Sequence, residues 1–197
     1  MVFVVCPGVK NFLKNAALHN HTSWFGEQTL RIQDDYKCAK LAVQLNPDML
    51  FHVSDRLRRH PALVLAAVRK KGLTLKWAKV LNNVICLCAT NQCPDALQYC
   101  SDSFRKNAAF VVDIVKRKPA AFNFAHEDLK NDAVFVKSLV SLHEDVLWSV
   151  PHFADNYEIV ITAVRHHGRS LLHASDRLRR DPLLVAIAVN NDGGAIH

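Results

Sequence analysis

The chain has 197 residues, of which 50% are hydrophobic and 22% charged, and it carries a formal net charge of +7 with a pI near 9.2. A chain of this length and hydrophobic content can bury a large core. No segment approaches the roughly eighteen consecutive apolar residues that span a bilayer, so we expect no membrane span. Six cysteines without a recognisable secretory signal favour a reducing, intracellular compartment, in the cytoplasm or inside an organelle.

The opening segment, MVFVVCPGV, is apolar but short, and it lacks both a basic region and a clear cleavage site. We therefore expect residues 1–24 to form a cap or extension rather than a signal peptide. No Ser-, Gly- or Pro-rich linker divides the rest of the chain. Residues 25–197 are predicted to form one helical-repeat domain.

A valine recurs in similar phrases through this domain, with gaps of 25, 47, 25, 24 and 25 residues, at Val43, Val68, Val115, Val140, Val164 and Val189. A second apolar column follows the same spacing at Leu57, Leu81, Phe104, Leu129, Phe153 and Leu178. The interval of 23 residues between Leu81 and Phe104 explains the gap of 47, because one repeat is shortened. The sequence therefore predicts a repeating unit of 24–25 residues.

Helix starts follow the second column by three residues. The residues predicted to cap a new helix are His60, Asn107, Asp132, Asn156 and Asp181, with Asn83 standing in for the short unit. Pro61 and Pro182 then occupy the first helical position, where proline is tolerated. The helices predicted from these caps run from Pro61 to Lys71, Ala108 to Lys118, Ala133 to His143, Tyr157 to His167 and Pro182 to Asp192.

The predicted ends of these helices use glycine and proline. Gly72, Gly168 and Gly193 follow the helices where a left-handed cap residue is expected. The chain restarts after other helices at Pro47, Pro94 and Pro119.

Each unit should also contain a first, amphipathic helix, as around Leu50, Phe51 and Leu57, which covers one side of the apolar second helix. The predicted fold is all-α, a solenoid-like stack of about six to seven helical hairpins. Runs such as Phe110 to Val112 also suit buried strands, but the caps and the spacing disfavour that alternative. Pro151 falls inside one first helix and should kink it or end it.

Two copies of the repeat carry a resemblance to a known family. The phrase LLHASDRLRRDPLLVAIAV from Leu171 to Val189 and its twin from Leu50 to Val68 resemble an uncharacterised helical repeat family, a domain of unknown function. The copies from Leu97, Phe122 and Val146 match loosely, and the copy from Thr74 lacks residues after Leu81. The resemblance covers about residues 25–197, implies an α-helical repeat, and brings no catalytic residues.

The last helix should present apolar surface. Residues 188–193 repeat the phrase at 67–72, so the residues that follow begin another repeat that is not completed. A solenoid normally ends in a helix with a polar outer face. We therefore expect residues 182–192 to be covered either by a neighbouring molecule or by further sequence of a longer chain.

Basic residues near helix ends are the strongest indication of a partner. The candidates for partner contact are Arg58, Arg59, Arg69, Lys70, Lys71, Arg165, Arg179 and Arg180. The same cations also offset the negative ends of helix dipoles, and this solvated role is the main alternative. Because the helices of a hairpin run in opposite directions, the clusters should form two separate rims. Such split charge favours an acidic protein or anionic surface over nucleic acid, which remains possible.

The cysteines provide the one metal-like pattern, Cys86, Cys88, Cys93 and Cys100, and these are weak candidates. Their spacing lacks the paired C-x-x-C motif, so buried reduced thiols are the favoured interpretation. No phosphate loop, H-E-x-x-H or G-x-S-x-G motif is present in the sequence. We predict no catalytic residues and no cofactor.

Exposed aromatic residues are the expected anchors for a partner, and the candidates are Trp24, Trp77 and Trp148. The sequence as a whole predicts a noncatalytic α-solenoid that serves as a protein-binding scaffold or as an accessory subunit of a larger assembly. The alternative is an electrostatic binder of nucleic acid or of an anionic surface through basic helix ends.

Overall fold

A computed structural model describes residues 33–192, so the predicted cap at 1–24, Trp24 and Gly193 lie outside the described residues. Residue contacts divide the chain into an N-terminal unit, Met1–Cys100, and a C-terminal unit, Ser101–His197. Every regular element between residues 33 and 192 is a helix and none is a strand. The all-α prediction is therefore confirmed, and the alternative of buried strands is wrong for these residues.

In the N-terminal unit, three α-helices of ten residues alternate with 3-10 helices. Its described elements are α1 (Tyr36–Leu45), η1 (Pro47–His52), α2 (Asp55–Arg58), α3 (Pro61–Lys70), η2 (Gly72–Trp77), α4 (Asn83–Gln92) and η3 (Pro94–Tyr99), where η denotes a 3-10 helix.

In the C-terminal unit, the same succession continues: a four-residue α-helix, a longer α-helix and a 3-10 helix. Its described elements are α5 (Asp102–Arg105), α6 (Ala108–Arg117), η4 (Pro119–Phe124), α7 (Glu127–Lys130), α8 (Ala133–Val140), η5 (Glu144–Ser149), η6 (Pro151–Phe153), α9 (Tyr157–His166), η7 (Gly168–His173), α10 (Asp176–Arg179) and α11 (Pro182–Asn191).

The first helix predicted for each segment of 24–25 residues is not a single amphipathic α-helix. It is divided into a six-residue 3-10 helix and, in most segments, a four-residue α-helix, as in η1 and α2. Val53 is extended and buried between them, so the chain turns a corner at this residue. Both pieces turn apolar residues inward: Met49 and Leu50 from η1, and Leu57 from α2.

The longer helices begin and end within three residues of the predicted positions. Helix α6 begins at Ala108 and α9 at Tyr157, each capped by the preceding Asn, whose side chain accepts a backbone N–H bond. In the shortened segment the cap is Asn82 and not Asn83, which is the first helical residue. This segment has no four-residue helix between η2 and α4, which explains its missing residues.

The recurring valines are core residues. Five of them are fully buried: Val43, Val68, Val115, Val140 and Val164. Within each unit the longer helices contact one another, α1 with α3 and α3 with α4 in the N-terminal unit, and α8 with α9 and α9 with α11 in the C-terminal unit. Each of these helices is thus covered by its neighbours, as its apolar surface requires.

The glycines after the longer helices allow close packing and do not act as left-handed caps. The residues that end α3 and α9 are Lys71 and His167, which are extended. A Cβ added at Gly168 would lie 2.5 Å from the carbonyl oxygen of Ala188 in α11, and one at Gly72 would overlap the carbonyl oxygen of Ala89 in α4. The predicted role is wrong because the requirement comes from the next helix, which is distant in sequence.

Pro151 ends one helix and begins the next, in agreement with its predicted effect. Helix η5 ends at Ser149, and η6 begins at Pro151, where the missing N–H of proline needs no helical partner. Phe153 closes this short helix and is only partly buried against the core.

Gly168→Ala should lower the free energy of unfolding by roughly 1 to 3 kcal/mol, because the backbone of α11 must move away from the added methyl group. Glu144→Ala, at the equivalent first position of η5, should change it by less than about 0.5 kcal/mol. Denaturant unfolding of both variants measures the difference. Equal effects would contradict close packing as the role of this glycine.

Asp132→Ala should cost about 1 kcal/mol of stability, because the Asp132 carboxylate accepts hydrogen bonds from the backbone N–H groups of Val134 and Phe135. Asp132→Asn is the matched control, since asparagine caps the equivalent helices α6 and α9. Thermal unfolding should therefore separate Asp132→Ala from both the wild type and Asp132→Asn. A loss as large in Asp132→Asn would mean that the negative charge, and not the cap, is the stabilising feature.

Candidate partner-binding surfaces

The 3-10 helices divide their side chains between the core and the surface in a regular way. In each six-residue 3-10 helix of the described chain, the third and fourth residues are buried, as with Val146 and Leu147 in η5. The fifth residue is exposed in every one of them, and these fifth residues are Phe51, Lys76, Gln98, Asn123, Trp148 and Leu172. The fifth position is thus the one at which all six of these helices expose a side chain; the second position is exposed as well in η4, η5 and η7.

The identity of the fifth residue is not dictated by packing. Lys76, Gln98 and Asn123 occupy this position as well as Phe51, Trp148 and Leu172 do, and all six are solvent-exposed. Exposure of a large apolar side chain to water contributes no stability to the fold, whereas covering the side chain with a partner contributes favourable free energy to binding. The exposed apolar members are therefore the best candidates for contact with another molecule.

The C-terminal unit places two of these side chains on neighbouring helices. Trp148 is 62% exposed and Leu172 is 47% exposed. Their helices η5 and η7 contact each other, and both residues occupy the same position in their helices. We call these two residues the Trp148 patch. Trp148 was a candidate anchor in the sequence and is exposed, whereas Leu172 was not among the candidates.

The N-terminal unit holds a second group, which we call the Phe51 patch: Phe51, His52, Lys76 and Trp77. The Phe51 ring is 53% exposed and lies 5.8 Å, centroid to centroid, from the half-buried Trp77 ring. The Lys76 ammonium lies 4.3 Å from the Trp77 ring centroid, a distance that permits a cation–π contact. The predicted anchor Trp77 is thus a support for Phe51 and Lys76 and not itself the most exposed ring.

The titratable groups around the Phe51 patch differ in protonation state and in ion pairing. Burial lowers the pKa of His52, so this imidazole is neutral at neutral pH. A hydrogen bond from Lys79, followed by the charge of Arg58, lowers the pKa of Asp55, which stays ionised and pairs with both cations. Lys76 makes no ion pair with any described residue. Its ammonium is therefore the cation of this patch that a partner carboxylate could reach.

The predicted basic contact residues fall into two groups. Four bind within their own unit: Arg58 to Asp55, Lys70 to the Gln44 carbonyl, Lys71 to Asp48 and Arg179 to Asp176. The side chains of the other four form no ion pair with any residue between 33 and 192, and these are Arg59, Arg69, Arg165 and Arg180.

Arg59 and Arg69 flank opposite ends of helix α3, whose ten residues extend about 15 Å. These two cations are therefore separated along the helix, and the arrangement of the basic clusters in two rims stays a prediction.

Two arginines outside the predicted set hold successive segments together. Arg56 binds the Asp34 carboxylate at 2.9 Å, and Arg177 binds Asp155 at 3.1 Å. In each case the hydroxyl of the serine two residues earlier also donates to that carboxylate. These bonds give the same role to the serine and the arginine of the phrase Ser-Asp-Arg at residues 54–56 and 175–177.

The whole net charge resides in one half of the sequence. Residues 1–100 contain 13 Lys and Arg against 6 Asp and Glu, whereas residues 101–197 contain 12 of each. The N-terminal unit is therefore strongly basic and the C-terminal unit is formally neutral. An electrostatic partner would be drawn to the N-terminal unit, which contains the Phe51 patch.

The cysteines do not gather into a metal site. All five described cysteines are thiols; Cys86 and Cys100 are buried, and Cys88 and Cys93 are half-buried. Between residues 33 and 192, no three His, Cys, Asp or Glu side chains come close enough together to hold a metal ion. Burial raises the pKa of the Cys38 thiol to about 11, so this sulfur is protonated at neutral pH.

The last described helix, α11, exposes apolar surface as predicted. Leu183 is 56% exposed, and Val189 is 38% exposed although the other five valines of its column are buried. Helix α11 also lacks charged residues, in contrast to α3 and α9, which end in basic residues. The covering neighbour that the sequence suggested stays a prediction.

Residues 85–130 and 156–197 match the sequence profile of a family described as a domain of unknown function, DUF4116. The matched segments cover less than half of the chain, and the second includes the phrase from Leu171 to Val189. No curated protein and no solved structure is significantly similar to the chain. No helix within residues 33–192 has the length and hydrophobicity needed to cross a bilayer.

Asp155→Asn should make the unfolding free energy less sensitive to acid. The hydroxyl of Ser175, followed by Arg177, lowers the pKa of Asp155 in the folded state. A depressed folded pKa means that this stabilisation is complete above the unfolded pKa of about 3.9 and is lost as the pH falls through the folded value. The stability difference between wild type and variant should therefore shrink below about pH 4.

Urea unfolding across this pH range measures that difference, and Arg177→Gln should show a weaker form of the same behaviour. A difference between wild type and Asp155→Asn that does not change with pH would contradict the assignment.

Proposed function

We propose that the chain is a noncatalytic protein-binding scaffold, an accessory subunit that binds its partner through side chains on its 3-10 helices. The observation that carries this proposal is the exposure of Trp148 and Leu172 at a position where the fold accepts Asn or Gln equally well. Tryptophan is enriched among residues that dominate binding energy, because its large ring gains much from being covered.

The helical framework supports this use. Neighbouring longer helices contact each other within each unit, and so do neighbouring 3-10 helices such as η5 and η7. We infer that each unit is a solenoid-like stack in which each segment covers the apolar side of the one before. Side chains held on such a framework lose little conformational entropy when they bind, so more of the contact energy contributes to affinity.

The second candidate function is electrostatic binding of nucleic acid or of another anionic surface. It is supported by the excess of cations in residues 1–100 and by Arg59 and Arg69, which have no carboxylate partner among the described residues. Against it, these two cations flank opposite ends of one helix and form no continuous track. A strand of nucleic acid prefers a basic groove lined with stacking aromatics.

Trp148→Ser should reduce association with a protein partner by about tenfold or more, and Leu172→Ser should have a smaller effect of the same kind. The measurement is affinity purification of the tagged full-length protein, followed by light scattering on the recovered complex to obtain its stoichiometry. Val134→Ser is the matched control, because Val134 is 81% exposed on α8 and lies outside the 3-10 helices.

A complex of fixed stoichiometry that survives Val134→Ser and is lost with Trp148→Ser supports the proposal. Recovery of the same proteins from all three variants, or of none from the wild type, would overturn it. Nucleic acid that binds the wild type with an affinity falling steeply with salt would favour the second candidate instead.

A further inference from the structure

We propose that the Phe51 patch of the N-terminal unit binds an acidic protein segment that inserts one aromatic or aliphatic side chain beside Phe51. This inference rests on the proposed protein-binding function and assigns a partner chemistry to a surface separate from the Trp148 patch. It follows from three properties of the patch: its charge, its exposed ring and the order of its side chains.

One cation of the patch has no ion pair within the described chain. Lys79 and Arg58 share the carboxylate of Asp55, whereas the Lys76 ammonium lies over the neutral ring of Trp77 and forms no ion pair with a described residue. An incoming carboxylate would give Lys76 an ion pair at a site where the surrounding unit already carries excess positive charge. Electrostatic complementarity of this kind speeds association and selects against basic partners.

The apolar part of the patch is exposed and already ordered. Phe51 packs edge-on against His52, with ring centroids 5.0 Å apart, and it leans on Trp77. More than half of its surface nevertheless remains in contact with water. Covering such a supported ring removes apolar surface from water at little entropic cost, so a short segment could bind with measurable affinity.

The arrangement favours a peptide over a nucleic acid. One face of the Trp77 ring is occupied by Lys76, so a base cannot stack there without displacing the ammonium. Arg59 and Arg69 have no carboxylate partner within the described residues, but they stand at the two ends of α3. One reachable ammonium beside one exposed ring suits a carboxylate and an apolar side chain that are neighbours in a peptide.

The test uses the full-length protein and a fluorescent peptide of Glu and Ser with a single central Phe, titrated at low ionic strength. Wild type should bind it, and Phe51→Ala and Lys76→Glu should each weaken binding about tenfold. Lys76→Arg should retain most of the affinity, since it keeps the charge. Val134→Ser is the control from the other unit and should bind like the wild type, because Val134 is exposed on α8 and belongs to neither patch.

Three comparison probes make the specificity measurable: the same peptide with Phe replaced by Ser, the same peptide with Glu replaced by Lys, and a single-stranded oligothymidylate of equal length. Both altered peptides should bind at least about tenfold more weakly than the original peptide. The inference is overturned if no peptide binds, if Phe51→Ala binds as well as the wild type, or if the oligothymidylate binds more tightly in a Phe51-dependent manner.

Failure of this inference and failure of the proposed function give different results. If Trp148→Ser abolishes the purified complex and the Phe51 patch binds no peptide, the proposed scaffold function stands and the proposal of an acidic segment is wrong. If peptide binding depends on Phe51 and the complex is insensitive to Trp148→Ser, the proposal of an acidic segment stands and the role of the Trp148 patch is wrong. Circular dichroism of each variant checks that its helices remain folded.

Discussion

Burial of one apolar stripe of each longer helix against its neighbours is the interaction on which the rest of the structure depends. Val68 and Val164 are fully buried because the next longer helix in the same unit covers them. Gly72 and Gly168 lie so close to that next helix that a side chain at either position would meet its backbone. The 3-10 helices and their outward residues are held in place by this packing.

The sequence predicted those parts of the fold that local chemistry determines. Helix starts at Asn107 and Asn156 and the burial of the valine column follow from capping and periodicity, which act within a few residues. The division of the first helix and the role of Gly168 depend on packing against segments that are distant along the chain. Local patterns cannot report such contacts.

The candidate surfaces, like the fold, could be predicted only in part from the sequence. Trp148 was a candidate partner-binding residue in the sequence, and it is exposed. Phe51 was assigned with Leu50 and Leu57 to the covered side of an amphipathic helix. In η1 the buried side chains are Met49 and Leu50, and Phe51 is exposed. The interpretation of Phe51 therefore changed from a core residue to a surface residue.

The exposed fifth residue of each 3-10 helix separates the requirements of folding from those of recognition. The third and fourth residues are committed to the core, while their neighbour accepts Lys, Gln, Asn, Phe, Trp or Leu. Within each unit, substitutions at such interchangeable sites could change what the surface binds while leaving the buried third and fourth residues untouched. The same sites offer protein engineers a small combinatorial library on an unaltered core.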